Sequence, residues 1–218
     1  MQPAELKQRA GDWLASALAD DGFVWKKKGE LVRTPGTRKE YLSWTASKFN
    51  TASTGATFDM FAVLYDAGFA RWQKANPDRV LQSDGFVANQ ARGHHRLSLG
   101  RPEQRQQALE DCLRWHREVP LAWFSLTRDP VRVASELAGD SGFIAPLVEW
   151  LVWQEREDLV RDFVQRSRQA WSVDPHFTNP DASLERGREL KRSGYPGGTE
   201  TASRGIVALG WVLEANGL

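Results

Sequence analysis

The sequence of 218 residues has little cysteine, little net charge and no long apolar run. Cys112 is its single cysteine, which excludes an intrachain disulfide framework and argues against a cysteine-based zinc site. The formal net charge of +1 creates no strong field toward nucleic acid or membranes. No stretch approaches the roughly 20 apolar residues of a membrane span, and the opening MQPAELKQRAGDW has no signal-peptide core. We therefore expect a cytoplasmic protein without a metal ion or a cofactor.

Apolar and charged residues are present in the proportions of an ordinary globular protein. Hydrophobic residues make up 41% of the chain and charged residues 26%, which argues against disorder. A chain of this length can bury a sizeable core. The ten Trp residues exceed Tyr and Met together, and Trp serves both in cores and at interfaces.

The first half of the sequence changes from a helical to a strand pattern. Residues 4–20 carry apolar side chains at helical spacing, followed by alternating apolar and polar residues in FVWKKKGELVR, YLSWTAS and TFDMFAVLY. The shorter pieces DGFVANQ and HHRLSLG also read as strands. These patterns predict an α+β fold, in which an N-terminal helix covers an antiparallel sheet meander of four to six strands.

The second half is predicted to be mostly helical. Helical spacing dominates from residue 102 onward, and residues 144–171 form either one long helix or two helices broken near QERED. We therefore divide the chain into an α+β sheet domain, residues 1–100, and a helical region, residues 101–218. The helical region is expected to pack on the sheet domain as one compact unit.

The predicted register of the sheet depends on two turns. A two-residue turn at Lys28-Gly29 would place Lys27 opposite Glu30 and Trp25 opposite Val32. At TPGT, a three-residue loop would place Leu42 and Trp44 on the face of Trp25 and Val32, whereas a two-residue loop would reverse that register. We prefer the three-residue loop because it produces one continuous apolar face.

The opposite face of the sheet is the candidate binding surface. It combines aromatic rings, hydroxyl groups and cations, a composition typical of surfaces that recognise proteins. The candidate binding residues are Lys26, Arg33, Tyr41, Ser43, Thr45, Asp59, Phe61 and Tyr65. If the C-terminal helices pack over this face, it would instead be part of the interior.

Two other functions use overlapping residues. An enzyme would need a polar pocket between sheet and helices, with groups drawn from Asp59, Tyr65, His94, His95 and Arg96. A nucleic-acid-binding protein would use the basic and aromatic face, with the cations Lys26, Lys28, Arg33 and Lys48. Because no HExxH, GxSxG or P-loop motif is present, we favour a non-catalytic binding module.

The first half of the chain also resembles a family of small bacterial domains of unknown function. The resemblance rests on a helix followed by DDGFVWKKKGELVRTPG, a strand through SWTASKFN and an apolar strand ending in FAVLYDAGF, over about residues 5–100. It implies the predicted fold and a bacterial cytoplasmic origin, and it supplies no catalytic residues. Some small domains of this kind act as immunity proteins beside toxins. By analogy, the expected partner is a protein such as a toxin or a defence component.

Overall fold

The computed structural model describes residues 1–26, 29–53, 55–89, 95–139, 144–174, 179–197 and 205–218. Its strands are β1 (Val24–Lys26), β2 (Glu30–Arg33), β3 (Arg38–Ala46), β4 (Thr57–Asp66), β5 (Phe86–Asn89) and β6 (His95–Ser98). Its helices are α1 (Pro3–Ala17), α2 (Ala67–Ala75), α3 (Arg105–Glu118), α4 (Pro120–Leu126), α5 (Pro130–Glu136), α6 (Ile144–Trp153), α7 (Glu157–Val173), α8 (Pro180–Arg192) and α9 (Gly205–Ala215). Two short 3₁₀ helices cover Pro77–Arg79 and Pro102–Gln104.

The six strands form one sheet that follows the chain order from β1 to β5, while β6 pairs with β4. The pairs β1–β2, β2–β3 and β4–β6 are antiparallel. The predicted α+β fold, with an N-terminal helix, a strand meander and a mostly helical second half, is therefore confirmed.

The chain forms two compact units. The sheet unit comprises Met1–Leu64 and Asn89–Ser125, and the helical unit comprises Tyr65–Ala88 and Leu126–Leu218. This division differs from the boundary near residue 100 expected from the sequence, because α3 and most of α4 belong to the sheet unit. The segment Tyr65–Ala88, which precedes that boundary, belongs to the helical unit.

Helix α1 packs on the sheet through a glycine. Leu6, Ala10 and Leu14 are buried at helical spacing, and Gly11 is buried beside them. A Cβ atom at Gly11 would lie 2.2 Å from Cε2 of Trp25, so the helix approaches the indole ring with no room for a side chain. The strand residue Trp25 and the glycine thus set the distance between helix and sheet.

The register of β2 differs from the prediction at both of its edges. Trp25 pairs with Leu31, so the first connection has three residues instead of two. Leu31 pairs with Leu42, which gives the second connection an even number of residues. There the amide of Arg38 donates to the carbonyl of Pro35, which closes a two-residue turn.

The two register shifts exchange the two faces of β2 but leave the faces of β3 as predicted. Because each shift moves side chains to the other face, Leu42 and Trp44 remain on the face of Trp25, as expected. The predicted partner Val32 is replaced on that face by Leu31, which is fully buried. The predicted placement of Lys27 opposite Glu30 is wrong, because Glu30 pairs with Lys26. Lys27 itself lies outside the described residues.

One face of the sheet forms the core of the sheet unit. The ring of Trp44 lies 5.0 Å from that of Trp25 and 5.6 Å from that of Phe58, measured between centroids. Helix α3 covers the same face, since Cys112 Sγ lies 3.5 Å from Met60 Sδ. We call this face the core face and the opposite face the outer face.

The helical unit is built around the apolar helices α6 and α9. Every described residue from Ile144 to Val152 is buried except Pro146. Gly187 of α8 lies against the backbone of α9, because a Cβ atom there would come within 2.1 Å of the Val207 carbonyl oxygen. Helix α6 ends at Trp153 and α7 begins at Glu157, so the two helices are separated within the QERED segment, where Glu155 has φ 57°. The broken-helix alternative is therefore the correct one.

None of the helices in the described ranges combines the length and the apolar character needed to cross a membrane.

Replacing Gly11 with Ala should lower the free energy of unfolding by about 1–3 kcal/mol, because the added methyl group overlaps the Trp25 ring. In a Trp25→Ala background the overlap is relieved, and the better helix propensity of Ala should stabilise the protein by up to about 1 kcal/mol. Urea unfolding of the four proteins measures both effects. An equal loss of stability in the two backgrounds would contradict the proposed clash.

Candidate binding surface

The outer face of the sheet carries most of the exposed strand side chains, although Val32 and Val63 on this face are buried. In β3 and the first half of β4 the even-numbered residues from Glu40 to Trp44 and from Phe58 to Met60 are buried, while their odd-numbered neighbours are partly or fully exposed. Trp44 and Phe58 meet on the core face, so the odd-numbered residues of both strands share the outer face. Strand alternation and the observed pairing add Lys26 of β1 and Arg96 of β6.

Six of the eight candidate binding residues lie together on this face. They are Lys26, Tyr41, Ser43, Thr45, Asp59 and Phe61. Tyr65 follows the same alternation in β4 but belongs to the helical unit, where its ring lies 5.6 Å from that of Phe86. Arg33 pairs with Glu40 and lies on the core face.

The outer face combines three kinds of chemistry. The rings of Tyr41 and Phe61 are partly exposed, and the hydroxyls of Ser43 and Thr45 lie beside them on β3. Arg96 Nε donates to Asp59 Oδ1 at 2.9 Å, in an ion pair whose side chains are 68% and 37% exposed. Such a surface can bury aromatic rings, exchange hydrogen bonds and match charges of both signs.

The predicted binding surface wrongly included Arg33. Because β2 is turned over, its side chain lies on the core face, where Nε donates to Glu40 Oε2 and Nη1 donates to the Asp21 carbonyl at 3.1 Å. The guanidinium lies 4.9 Å from the Phe23 ring centroid and 5.7 Å from that of Phe124. These contacts leave the Arg33 side chain 17% exposed, so it is part of the core and not of an open binding surface.

Glu40 is the partner that retains Arg33 in the core. It is fully buried, and its second carboxylate oxygen lies 3.7 Å from Arg38 Nε. A carboxylate loses favourable hydration when it is buried, and two guanidinium groups offset that loss. Removing Glu40 would leave two largely buried cations without their counter-ion.

The residues proposed for an enzyme site do not meet on one face. Asp59 and Arg96 pair on the outer face, while His95 pairs with Met60 in the register and lies on the core face. There the His95 ring stacks on Trp115 with centroids 5.3 Å apart, and burial lowers its pKa. His94 lies outside the described residues.

The cations proposed for nucleic-acid binding are also separated. Lys26 is on the outer face, whereas Arg33 is on the core face. The Lys48 ammonium lies 5.1 Å from the ring centroid of the exposed Phe49, and Lys28 is outside the described residues. Lys26 and Arg33 therefore do not contribute to one basic patch.

Two buried groups of the sheet unit, Cys112 and His116, have pKa values that favour their neutral forms. Burial raises the pKa of the Cys112 thiol to about 12, so it stays protonated. Burial, with the nearby cations Arg33 and Arg117, lowers the pKa of His116 to about 3. The His116 ring packs edge-on against Phe23 at 4.9 Å. Over the described residues, no group of three or more His, Cys, Asp or Glu side chains is placed to hold a metal ion.

The helical unit holds a buried carboxyl group, Glu149, which no sequence motif marks. One oxygen accepts from the Leu81 amide at 2.6 Å and the other from Gln73 Nε2 at 3.0 Å, while Gln73 Oε1 accepts from the Gly85 amide. Burial raises the pKa of Glu149 to about 7. Its position inside the apolar run IAPLVEWLVW was the available signal, because a lone Glu there must find buried partners.

Glu40→Gln is expected to lower the free energy of unfolding by about 3–5 kcal/mol, because it leaves buried guanidinium charge without a counter-ion. The matched change Asp59→Asn removes an exposed ion pair and should cost less than about 1 kcal/mol. Denaturant unfolding followed by tryptophan fluorescence compares the two. Similar losses for both variants would show that the Glu40 carboxylate does not have this structural role.

The helical unit should lose stability as the pH rises. The folded-state pKa of Glu149 lies above its ordinary value of 4.5, so its stabilising contribution is complete below pH 4.5 and is lost as the pH rises through about 7. Over about pH 5 to pH 8 the loss should approach about 3 kcal/mol. Urea unfolding at several pH values measures the slope, which Glu149→Gln should remove and the exposed control Glu157→Gln should leave unchanged. An unchanged slope in Glu149→Gln would disprove the assignment.

Comparisons of the chain with protein-family models, with curated proteins and with solved structures found no match. The resemblance to small bacterial domains therefore stays a prediction from the sequence. The outer face of the sheet is the feature on which a functional proposal can rest.

Proposed function

We propose that the chain is a non-catalytic protein-binding module that contacts its partner through the outer face of the sheet. The observation that carries this proposal is the partial exposure of Tyr41 and Phe61 on a face that also holds hydroxyl groups and both signs of charge. Aromatic side chains in such surroundings provide much of the binding energy at protein interfaces. A rigid sheet also limits the loss of side-chain and backbone freedom on binding.

The dimensions of the face are compatible with the centre of an interface. The outer face extends from β1 through β2, β3 and β4 to β6, and five strands at the usual spacing span about 19 Å. Tyr41 and Phe61 lie on β3 and β4, near the middle of that span, and the charged Lys26 and Arg96 lie toward its edges. Central aromatic side chains with a polar rim are typical of protein-binding surfaces.

The charge of the face favours a protein over a polyanion. Over the described residues, the cations Lys26, Lys39 and Arg96 share this face with the carboxylates Glu30 and Asp59. Because Arg33 lies on the core face, the described part of this surface carries charges of both signs and is not the continuous row of cations that phosphate contacts require. A protein partner can match an aromatic patch with a mixed rim.

The partner that we propose is a toxin or a defence component in the bacterial cytoplasm, with the chain acting as its immunity or antitoxin-like protein. The support for this narrower proposal is the resemblance of residues 5–100 to small bacterial domains, together with the mixed aromatic surface. Such a pair would form a tight complex of one copy of each protein.

Co-expression with the protein encoded next to this gene, followed by co-purification and titration, tests the proposal. We expect Tyr41→Ala combined with Lys26→Glu to weaken the complex by about a hundredfold or more, because it removes a central ring and reverses a rim charge. Tyr195→Ala combined with Lys74→Glu is the matched control, since both of these residues are exposed in the helical unit. The control should leave the affinity unchanged.

Circular dichroism and urea unfolding must first show that both double variants are folded. Absence of a complex with the wild-type chain would disprove the proposed toxin-type partner. If a complex forms and both double variants retain it, the outer face is not the binding surface.

A further inference from the structure

The helical unit contains a groove with a volume of about 480 Å³ along α7, α8 and the end of the chain after α9. Its lining includes Arg161, Val164, Arg168, Arg188, Leu213 and Leu218. All of these residues belong to the helical unit. The groove thus combines an apolar floor with basic side chains that come from different helices.

The charged side chains that line the groove all have the same sign. Its lining holds three arginines and no Asp or Glu side chain. Within the part of the chain that the structure describes, Arg161 has no ion-pair partner. Arg168 lies 2.7 Å from Asp181, but both side chains are more than half exposed, and such pairs exchange partners easily. Arg188 lies 3.8 Å from Glu214, a long distance for an ion pair, and its side chain is 34% exposed. The three arginines can therefore also donate hydrogen bonds to an external anion.

The floor of the groove is shallow. Val160 is fully buried and Leu213 is only 3% exposed, so the protein itself already covers most of their surface. Val164 and Leu218 keep partly exposed apolar surface. A small molecule gains affinity when a pocket encloses most of its surface, whereas a peptide segment can lie across a shallow groove and contact the arginines along its length.

The spacing of the arginines matches a helical ligand. Arg161 and Arg168 are seven residues apart on α7, which places them on one side of the helix about 10.5 Å from each other. Val173, which is 81% exposed, continues this side of α7 one turn beyond Gln169. A second helix of two to three turns lying along α7 would meet apolar surface between basic side chains.

We propose that this groove binds an acidic amphipathic helix of a partner protein. Leucine-like side chains at i, i+4 and i+7 would cover Val164 and Leu218, and flanking carboxylates would accept hydrogen bonds from Arg161, Arg168 and Arg188. Charge-assisted contacts of this type are the strongest hydrogen bonds available at an exposed groove. The site lies in the helical unit and does not depend on the function proposed for the outer face.

The probe for this proposal is a fluorescein-labelled, stapled helical peptide of about 14 residues, with leucines at i, i+4 and i+7 and glutamates on both flanks. A control peptide has glutamine in place of each glutamate. Fluorescence anisotropy with the full chain should show binding of the acidic peptide, weaker binding at high salt and at least about tenfold weaker binding of the glutamine peptide.

Two pairs of variants locate the binding site. Arg161→Gln should weaken acidic-peptide binding by about tenfold, whereas Arg166→Gln, on the same helix but outside the groove lining and paired with Asp162, should leave it unchanged. Val164→Glu should abolish binding, whereas Val131→Glu, at an exposed residue of α5, should not. Thermal unfolding confirms that each variant is folded.

Four results would overturn the proposal. The first is no binding of the acidic peptide to the wild-type chain, and the second is binding that Arg161→Gln and Val164→Glu leave unchanged. The third is binding of laurate, or of a single-stranded oligonucleotide, that depends on Arg161 while the peptide does not bind. The fourth is self-association of the chain that Val164→Glu abolishes. Lys26→Glu with Tyr41→Ala should not affect peptide binding, which separates this test from that of the outer face.

Discussion

The buried ion pair between Arg33 and Glu40 is the constraint on which the sheet unit depends. It joins β2 to β3 on the core face, and Arg33 also binds the Asp21 carbonyl and lies over Phe23 and Phe124. A slip of β2 by one residue would move Arg33 to the outer face and leave Glu40 buried with less positive charge beside it, a large cost in free energy. The ion pair therefore favours the observed register over registers shifted by one residue.

The outer face is a consequence of that register. With Arg33 and Leu31 directed into the core, the exposed side of the sheet keeps Tyr41, Ser43 and Thr45 of β3 together with Asp59 and Phe61 of β4. Because Arg33 is absent from this face, the surface is less basic and relatively more aromatic than the sequence predicted. That change is the physical reason for preferring a protein partner over a nucleic acid.

The helical unit is stabilised in a different way. Close backbone contacts and one buried carboxyl group join its helices. Gly187 allows α8 to approach α9, and Glu149 ties α6 to Gln73 of α2 and to the Leu81 amide. The stability of this unit is therefore coupled to the protonation of Glu149. The groove along α7 is a property of the same arrangement, since its arginines come from α7 and α8.

Local patterns in the sequence were sufficient for the fold class, the strand meander, the break at QERED and most of the outer face, because strand alternation and helical spacing are encoded by neighbouring residues. They also led to the correct side for Leu42 and Trp44, although two turn assignments were wrong and cancelled. The position of Arg33 was decided by Glu40, and that of Glu149 by Gln73 and the Leu81 amide. The groove is lined by Arg161 and Arg188, which are 27 positions apart in the sequence. Those features depend on contacts between separate elements, and only the tertiary structure determines which distant side chains neutralise a buried charge.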